Sequence, residues 1–186
     1  MCLERDGRLI VPVGTTEQHG PHLPLGCDTI IVERLADDLS AEFQVLRAPT
    51  IEYGVNAPTG TAFPGAASVR RKTLHRTVDI FAVPLGDVEF SEVEPIHGGE
   101  IDTSLMLFVD PGLVHLDAAR DYAPGRRTAA RYYRGVRGAI PDSSPGSLGS
   151  PSTASATKGE RIYRTIYQRV AARVFRRSEA AAGGTV

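Results

Sequence analysis

Tryptophan is absent from this 186-residue chain and aromatic side chains make up only 6% of it, which argues against a base-stacking platform for single-stranded nucleic acid. Neither acidic nor basic residues are in marked excess, with 21 Lys and Arg against 22 Asp and Glu. The formal net charge is −1, so the basic surface of a nucleic-acid or anionic-membrane binder is not expected. No apolar run approaches the roughly 18 residues of a membrane span, and no signal peptide is recognised. Cysteine is nearly missing: Cys2 and Cys27 form no CxxC pair, so a reducing, cytoplasmic setting without a disulfide framework is expected. The length suits one domain with its own hydrophobic core. The expected organisation is a single domain over 1–178 and a disordered tail over 179–186.

What is present is concentrated in Thr16–Asp28, TEQHGPHLPLGCD, which holds two carboxylates and two histidines. It follows Leu9-Ile10-Val11-Pro12-Val13, which reads as a short buried strand. Glu17 and His19 are two apart, so on extended chain both side chains leave the same face. Gly20, Pro21, Pro24 and Gly26 punctuate a loop able to fold Asp28 back onto that face. Acids and imidazoles gathered at a strand end suit a divalent metal. Cys27, beside Asp28, can be read as a thiolate ligand or as a small buried side chain, the commoner case.

A helix is expected from Thr29 to Phe43, with Ile31, Leu35, Leu39 and Phe43 recurring every four positions. Val45–Ala48 reads as a second strand, Tyr53–Gly65 as loop, Arg70–Val78 as the start of a helix and Ile80–Val83 as another strand. That alternation indicates an α/β domain with a mainly parallel sheet, whose functional loops lie at the strand carboxyl ends. His97–Ser104, HGGEIDTS, is the second cluster. Its glycines permit close backbone approach, and Asp102 or Thr103 could open a helix over the apolar residues that follow. Residues 141–158, rich in Ser, Pro and Gly, read as a long loop. Glu160–Arg177 reads as the terminal helix, with a stripe of Ile162, Ile166, Val170 and Val174.

Glu17, Asp28, Asp102, His19 and His97 would be costly to bury unpaired, and one or two divalent cations would neutralise them. An aspartate such as Asp28 can bridge two metals about 3.5–4 Å apart, a spacing that polarises a carbonyl while activating water. Each residue alone has a plainer explanation: Asp28 and Asp102 as helix caps, and Glu17 with His19 as a surface pair. Their clustering favours the metal site. His22 fits a contact to a ligand residue or to substrate no better than loop packing, His75 and His115 read as structural, and the arginines at 126–137 as a solvated face rather than a hold on an anionic substrate.

These residues resemble the creatininase (creatinine amidohydrolase) family. VPVGTTEQHGPHLPLGCDT is similar to its opening motif, whose metal ligands fall on Glu17, His19 and Asp28. FPGAAS (Phe63–Ser68) is similar to its FPGT loop, with Ala66 where Thr is usual. HGGEIDTSLML is similar to its H-A-G-x-x-E-T-S block, which puts a catalytic or substrate-polarising histidine at His97 and a metal-binding acid at Asp102. Gly146–Glu160 is similar to the late loop before its last helix. The resemblance implies a three-layer α/β/α fold with a mainly parallel sheet and a dinuclear zinc or manganese site. It further implies hydrolysis of an amide or cyclic amide in a small-molecule substrate, and a homo-oligomer, often a hexamer.

The family also carries an N-G-H-G-G-N-like motif whose histidine is a further metal ligand. Here residues 76–96 contain no histidine, and loss of a central strand–helix unit near Thr77–Pro84 is expected. Two readings follow. One is a metal-dependent amidohydrolase carrying Glu17, His19, Asp28, Asp102 and His97, with two metals per chain as in the family or fewer. The alternative is a catalytically inactive, truncated member acting as a binding or oligomerisation subunit, or a decayed remnant. A mononuclear metal-binding protein stands between them.

Overall fold

The first strand is short because proline interrupts it. The structure, a computed structural model, describes residues 8–54, 66–67, 97–133 and 144–176. In it β1 spans Leu9–Ile10 and pairs in parallel with β2, Leu46–Arg47, in the register Leu9↔Leu46 and Ile10↔Arg47. Pro12 has no amide to continue the ladder. Its carbonyl still accepts from Ile51 N at 2.9 Å, and Gly14 N donates to Ile51 O at 2.9 Å, so pairing resumes as a bridge at Val13↔Ile51. The run expected as one strand from Leu9 to Val13 is thus a two-residue strand and a bridge. The helix and strand expected at 70–78 and 80–83, His75, the segment near 77–84 and the 179–186 tail lie outside the described residues.

Helix α1, Cys27–Phe43, connects the two strands, so strand, helix and parallel strand follow one another as expected of an α/β chain. It begins two residues before the expected Thr29. Gly26 is its N-cap and Asp28 lies inside the first turn, so capping does not explain Asp28. Ile31, Leu35 and Leu39 are buried as the four-residue spacing predicts. Helix α2, Glu100–Val109, opens on Gly99 without a side-chain cap, so neither Asp102 nor Thr103 caps it. Helix α3, Arg126–Tyr133, leaves Arg126, Arg127 and Arg131 exposed.

Helix α4, Ala156–Val170, starts earlier than the expected Glu160 because the Ser155 hydroxyl accepts from Lys158 N at 3.3 Å and caps it there. Beyond Val170 the chain winds more widely, as a π-helical turn over Ala171–Arg176. Each wider turn takes an extra residue. The expected stripe therefore slips by one: Val174 is 40% exposed, whereas Phe175 is 4% exposed and stacks on Phe43 at 4.4 Å. Ile101, Leu105 and Met106 of α2 share the core with Ile162, Tyr163 and Ile166 of α4, and α1 packs against α2 as well. Among the described residues no helix is long and apolar enough to cross a membrane.

Glu100, at the first position of α2, is completely buried, and its carboxylate is held by the Lys158 ammonium from α4. Lys158 also donates to Thr153 O at 3.0 Å. Removing one partner of a buried pair leaves a charge without compensation, typically at a cost of about 3–5 kcal/mol. Lys158→Met is therefore expected to destabilise the fold by about 3 kcal/mol in urea denaturation, and adding Glu100→Gln to recover part of the loss. A single variant as stable as wild type would show that the pair contributes nothing.

Candidate metal centre

The loop after β1 turns back on itself. Glu17 N donates to Leu25 O at 3.0 Å and Cys27 N to Pro24 O at 3.2 Å, which returns Asp28 to the segment carrying His19. His19 Nε2 stands 3.3 Å from Asp28 Oδ1, and Thr15 donates its hydroxyl to the other carboxylate oxygen. His19 is 2% exposed, and its Nδ1–H donates to Glu17 O at 3.1 Å. A backbone acceptor on one ring nitrogen fixes the orientation of the other, the usual support of a metal-binding histidine.

The second cluster arrives from the start of α2. The His97 ring packs 4.2 Å from that of His19, and Tyr132 of α3 lies 6.3 Å beyond it. His97 Nε2–H donates to Gln18 O, which leaves Nδ1 with the lone pair. Gly98 N donates to Asp102 Oδ2 at 2.7 Å. Gly98 has a φ of +64°, and a Cβ there would lie 2.6 Å from His19 O. The close approach expected of these glycines is realised at that position.

Two groups of potential donors result: His19, His97 and Asp102, and His19, Cys27 and Asp28. Within each, the donor atoms lie no more than 4.8 Å apart. Tetrahedral bonds of about 2.0–2.3 Å to nitrogen, oxygen or sulfur place donors roughly 3.3–3.8 Å apart, so the donors would draw in by up to about 1 Å around a divalent cation. Imidazole, carboxylate and thiol fit zinc in particular. The structure thus brings together four of the five expected residues. The fifth, Glu17, is buried two residues before His19, but its carboxylate belongs to neither group.

Charge is balanced here by an imidazolium. Burial pushes the His19 pKa down, but the hydrogen bond to Asp28 and the charges of Asp28 and Asp102 outweigh it and raise it to about 9. Burial alone would raise the Asp28 carboxyl, yet His19 and the Thr15 hydroxyl hold it below the usual carboxylate range. His97 is neutral, lowered to about 3 by burial and by the charge on His19. Burial, with Asp102 and Asp28 adding to it, pushes the Cys27 thiol well up.

Other residues matter that sequence reasoning passed over. Gln18 receives His97 on its carbonyl, donates its amide to Gly146 O at 3.1 Å, and accepts from Gly20 N at 3.0 Å. It ties the loop after β1 to the late loop at 144–149. Its alternation between Glu17 and His19, which turns it to the other face, is the one signal that could have revealed it. His22, fully buried, shares a hydrogen bond of 2.9 Å with Thr103 Oγ1, and burial and the charge on His19 lower its pKa to about 4. His115 is exposed, with its backbone amide on His22 O.

The family model described as creatinine amidohydrolase matches residues 1–85 and 81–174. The chain belongs to the creatininase family. A mycofactocin precursor peptide peptidase of Mycolicibacterium smegmatis is 28% identical over 211 residues, covering 90% of this chain and 84% of that protein. The creatinine amidohydrolase of Pseudomonas putida is 25% identical over 227 residues, covering 88% and 86%. A solved creatininase mutant of zinc–zinc type has a TM-score of 0.73 at 22% identity and covers 89% of this chain and 88% of its own. That likeness bears out the creatininase-like α/β fold expected from the sequence.

Proposed function

We propose that this creatininase-family chain is a metal-dependent amidohydrolase that cleaves an amide or cyclic amide C–N bond in a small-molecule substrate. The observation supporting this is the convergence of His19, Asp28, His97 and Asp102, from segments almost eighty residues apart, in two groups of donors that share the buried His19. His19, Asp28 and Asp102 would hold the ion, zinc or manganese, with Glu17 joining them by a side-chain rotation. A divalent cation there supplies Lewis-acid polarisation of the carbonyl and lowers the pKa of water. His97 contributes from the other side. Neutral, with Nε2–H anchored on Gln18 O, it presents Nδ1 as an acceptor that orients a nucleophilic water. Gln18 keeps that ring in register, and Tyr132 closes over it. By the family's resemblance, a cytoplasmic homo-oligomer is the proposed setting.

The test is hydrolysis of a panel of short peptides, formamides and cyclic amides by zinc- or manganese-loaded protein. Activity should vanish with chelator and fall about 100-fold in His97→Ala, the scale of a lost positioning contact. Unchanged turnover in that variant would remove His97 from the chemistry.

The alternative, a non-catalytic subunit or remnant, has its own support. The family model is matched in two stretches that meet at 81–85, the alignment to the mycobacterial peptidase spans 211 positions against a chain of 186, and residues 76–96 supply no histidine. These favour loss of the segment that carries a further ligand. A loaded, folded protein inert on every amide would select this reading.

A further inference from the structure

We propose that Cys27 Sγ is a ligand of the cation held by His19 and Asp28, and that it biases the centre toward zinc over manganese. The inference rests on the metal-site reading above and extends it to a residue outside the proposed ligand set. Cys27 is fully buried in the first turn of α1, next to Asp28. A buried cysteine is ordinarily a small apolar side chain. That role does not require its sulfur to sit among an imidazole nitrogen and a carboxylate oxygen, as it does here.

The shared histidine strengthens the case. His19 Nδ1 is committed to Glu17 O, so only Nε2, which faces Asp28, can turn to an ion, and one nitrogen serves one ion. The two donor groups are therefore two sides of a single position rather than two complete sites. An ion there draws His19, Cys27 and Asp28 from one side and Asp102 from the other, four donors in all, the number structural zinc sites use. The thiol proton leaves to solvent as the ion binds. A thiolate also supplies a donor where residues 76–96 supply no histidine. Manganese favours oxygen ligands, so sulfur in the set discriminates against it.

Cobalt(II) substitution of the full-length protein reads sulfur ligation directly. Wild type should show an intense near-ultraviolet sulfur-to-cobalt charge-transfer band, retained in Cys2→Ser and lost in Cys27→Ser, while the latter still binds cobalt through His19 and Asp28. Zinc affinity should fall about tenfold or more in Cys27→Ser, with manganese affinity changed by no more than about twofold. Cobalt bound to wild type without the band would overturn the role of Cys27 and leave the metal centre standing. No cobalt bound to folded wild type would sink both. The wild-type spectrum decides the point even if the variant fails to fold.

Discussion

Asp28→Ala is expected to give a folded chain that no longer retains a divalent cation through gel filtration. Asp28 is half-buried at the start of α1 and contributes no apolar packing, so its removal opens no core cavity. It does remove the carboxylate facing His19 Nε2 and the acceptor of the Thr15 hydroxyl. Loss of an outer-shell partner alone typically weakens metal binding about 10–100-fold, and loss of a ligand should exceed the upper end of that range. Elemental analysis of wild type and variant, purified side by side, measures it. Equal zinc or manganese in both would place the ion elsewhere, and none in either would end the hydrolase reading.

Gly159→Ala is expected to be the most damaging glycine-to-alanine substitution among the described residues. In an exposed helix interior the same change would stabilise by about 1 kcal/mol. Here α4 presses against α2, and a Cβ at position 159 would run into the carbonyl oxygen of Ser104 and come within 2.9 Å of Phe108 Cβ. The obstacle is backbone, which cannot rotate away. Overpacking costs about 1–3 kcal/mol and occasionally more, and a clash with fixed backbone belongs at the upper end, so it outweighs the helix-propensity gain. The expected loss is about 3 kcal/mol, read as a lowered urea midpoint, or outright misfolding. Gly125→Ala, where a Cβ meets nothing within 4 Å, should stay within about 0.5 kcal/mol of wild type. A midpoint for Gly159→Ala at or above that of wild type would refute the close packing of these helices. Because α2 also carries Asp102, the variant should weaken metal binding as well.

Local chemistry in the sequence predicted much of this arrangement. His19 and Asp28 could be paired on paper because one short loop, rich in glycine and proline, separates them. The buried stripes of α1 and α4 followed from periodicity. What escaped notice depends on partners far along the chain. Glu100 and Lys158 are fifty-eight residues apart, and His97 meets Gln18 across seventy-nine. No local pattern pairs such residues, since each choice is made by tertiary packing. The early start of α4 and the slip from Val174 to Phe175 are of a different kind. A serine cap and a change of winding moved boundaries that hydrophobic spacing alone sets too late or too evenly.

The placement of the donors also has a consequence for the stability of the whole domain. His19 and Asp28 belong to the amino-terminal strand–helix unit, whereas His97 and Asp102 belong to the helix pair that forms the other half of the core. An ion gripped by both sets is a cross-link between the two halves, the part a disulfide plays in secreted domains, in a chain whose Cys27 is a free thiol. By mass action such a cross-link adds about 2.7 kcal/mol when free metal stands at 100 times its dissociation constant. That is a substantial share of a typical domain's net stability of about 5–15 kcal/mol. Metal supply would then govern the lifetime of the folded chain as well as its chemistry.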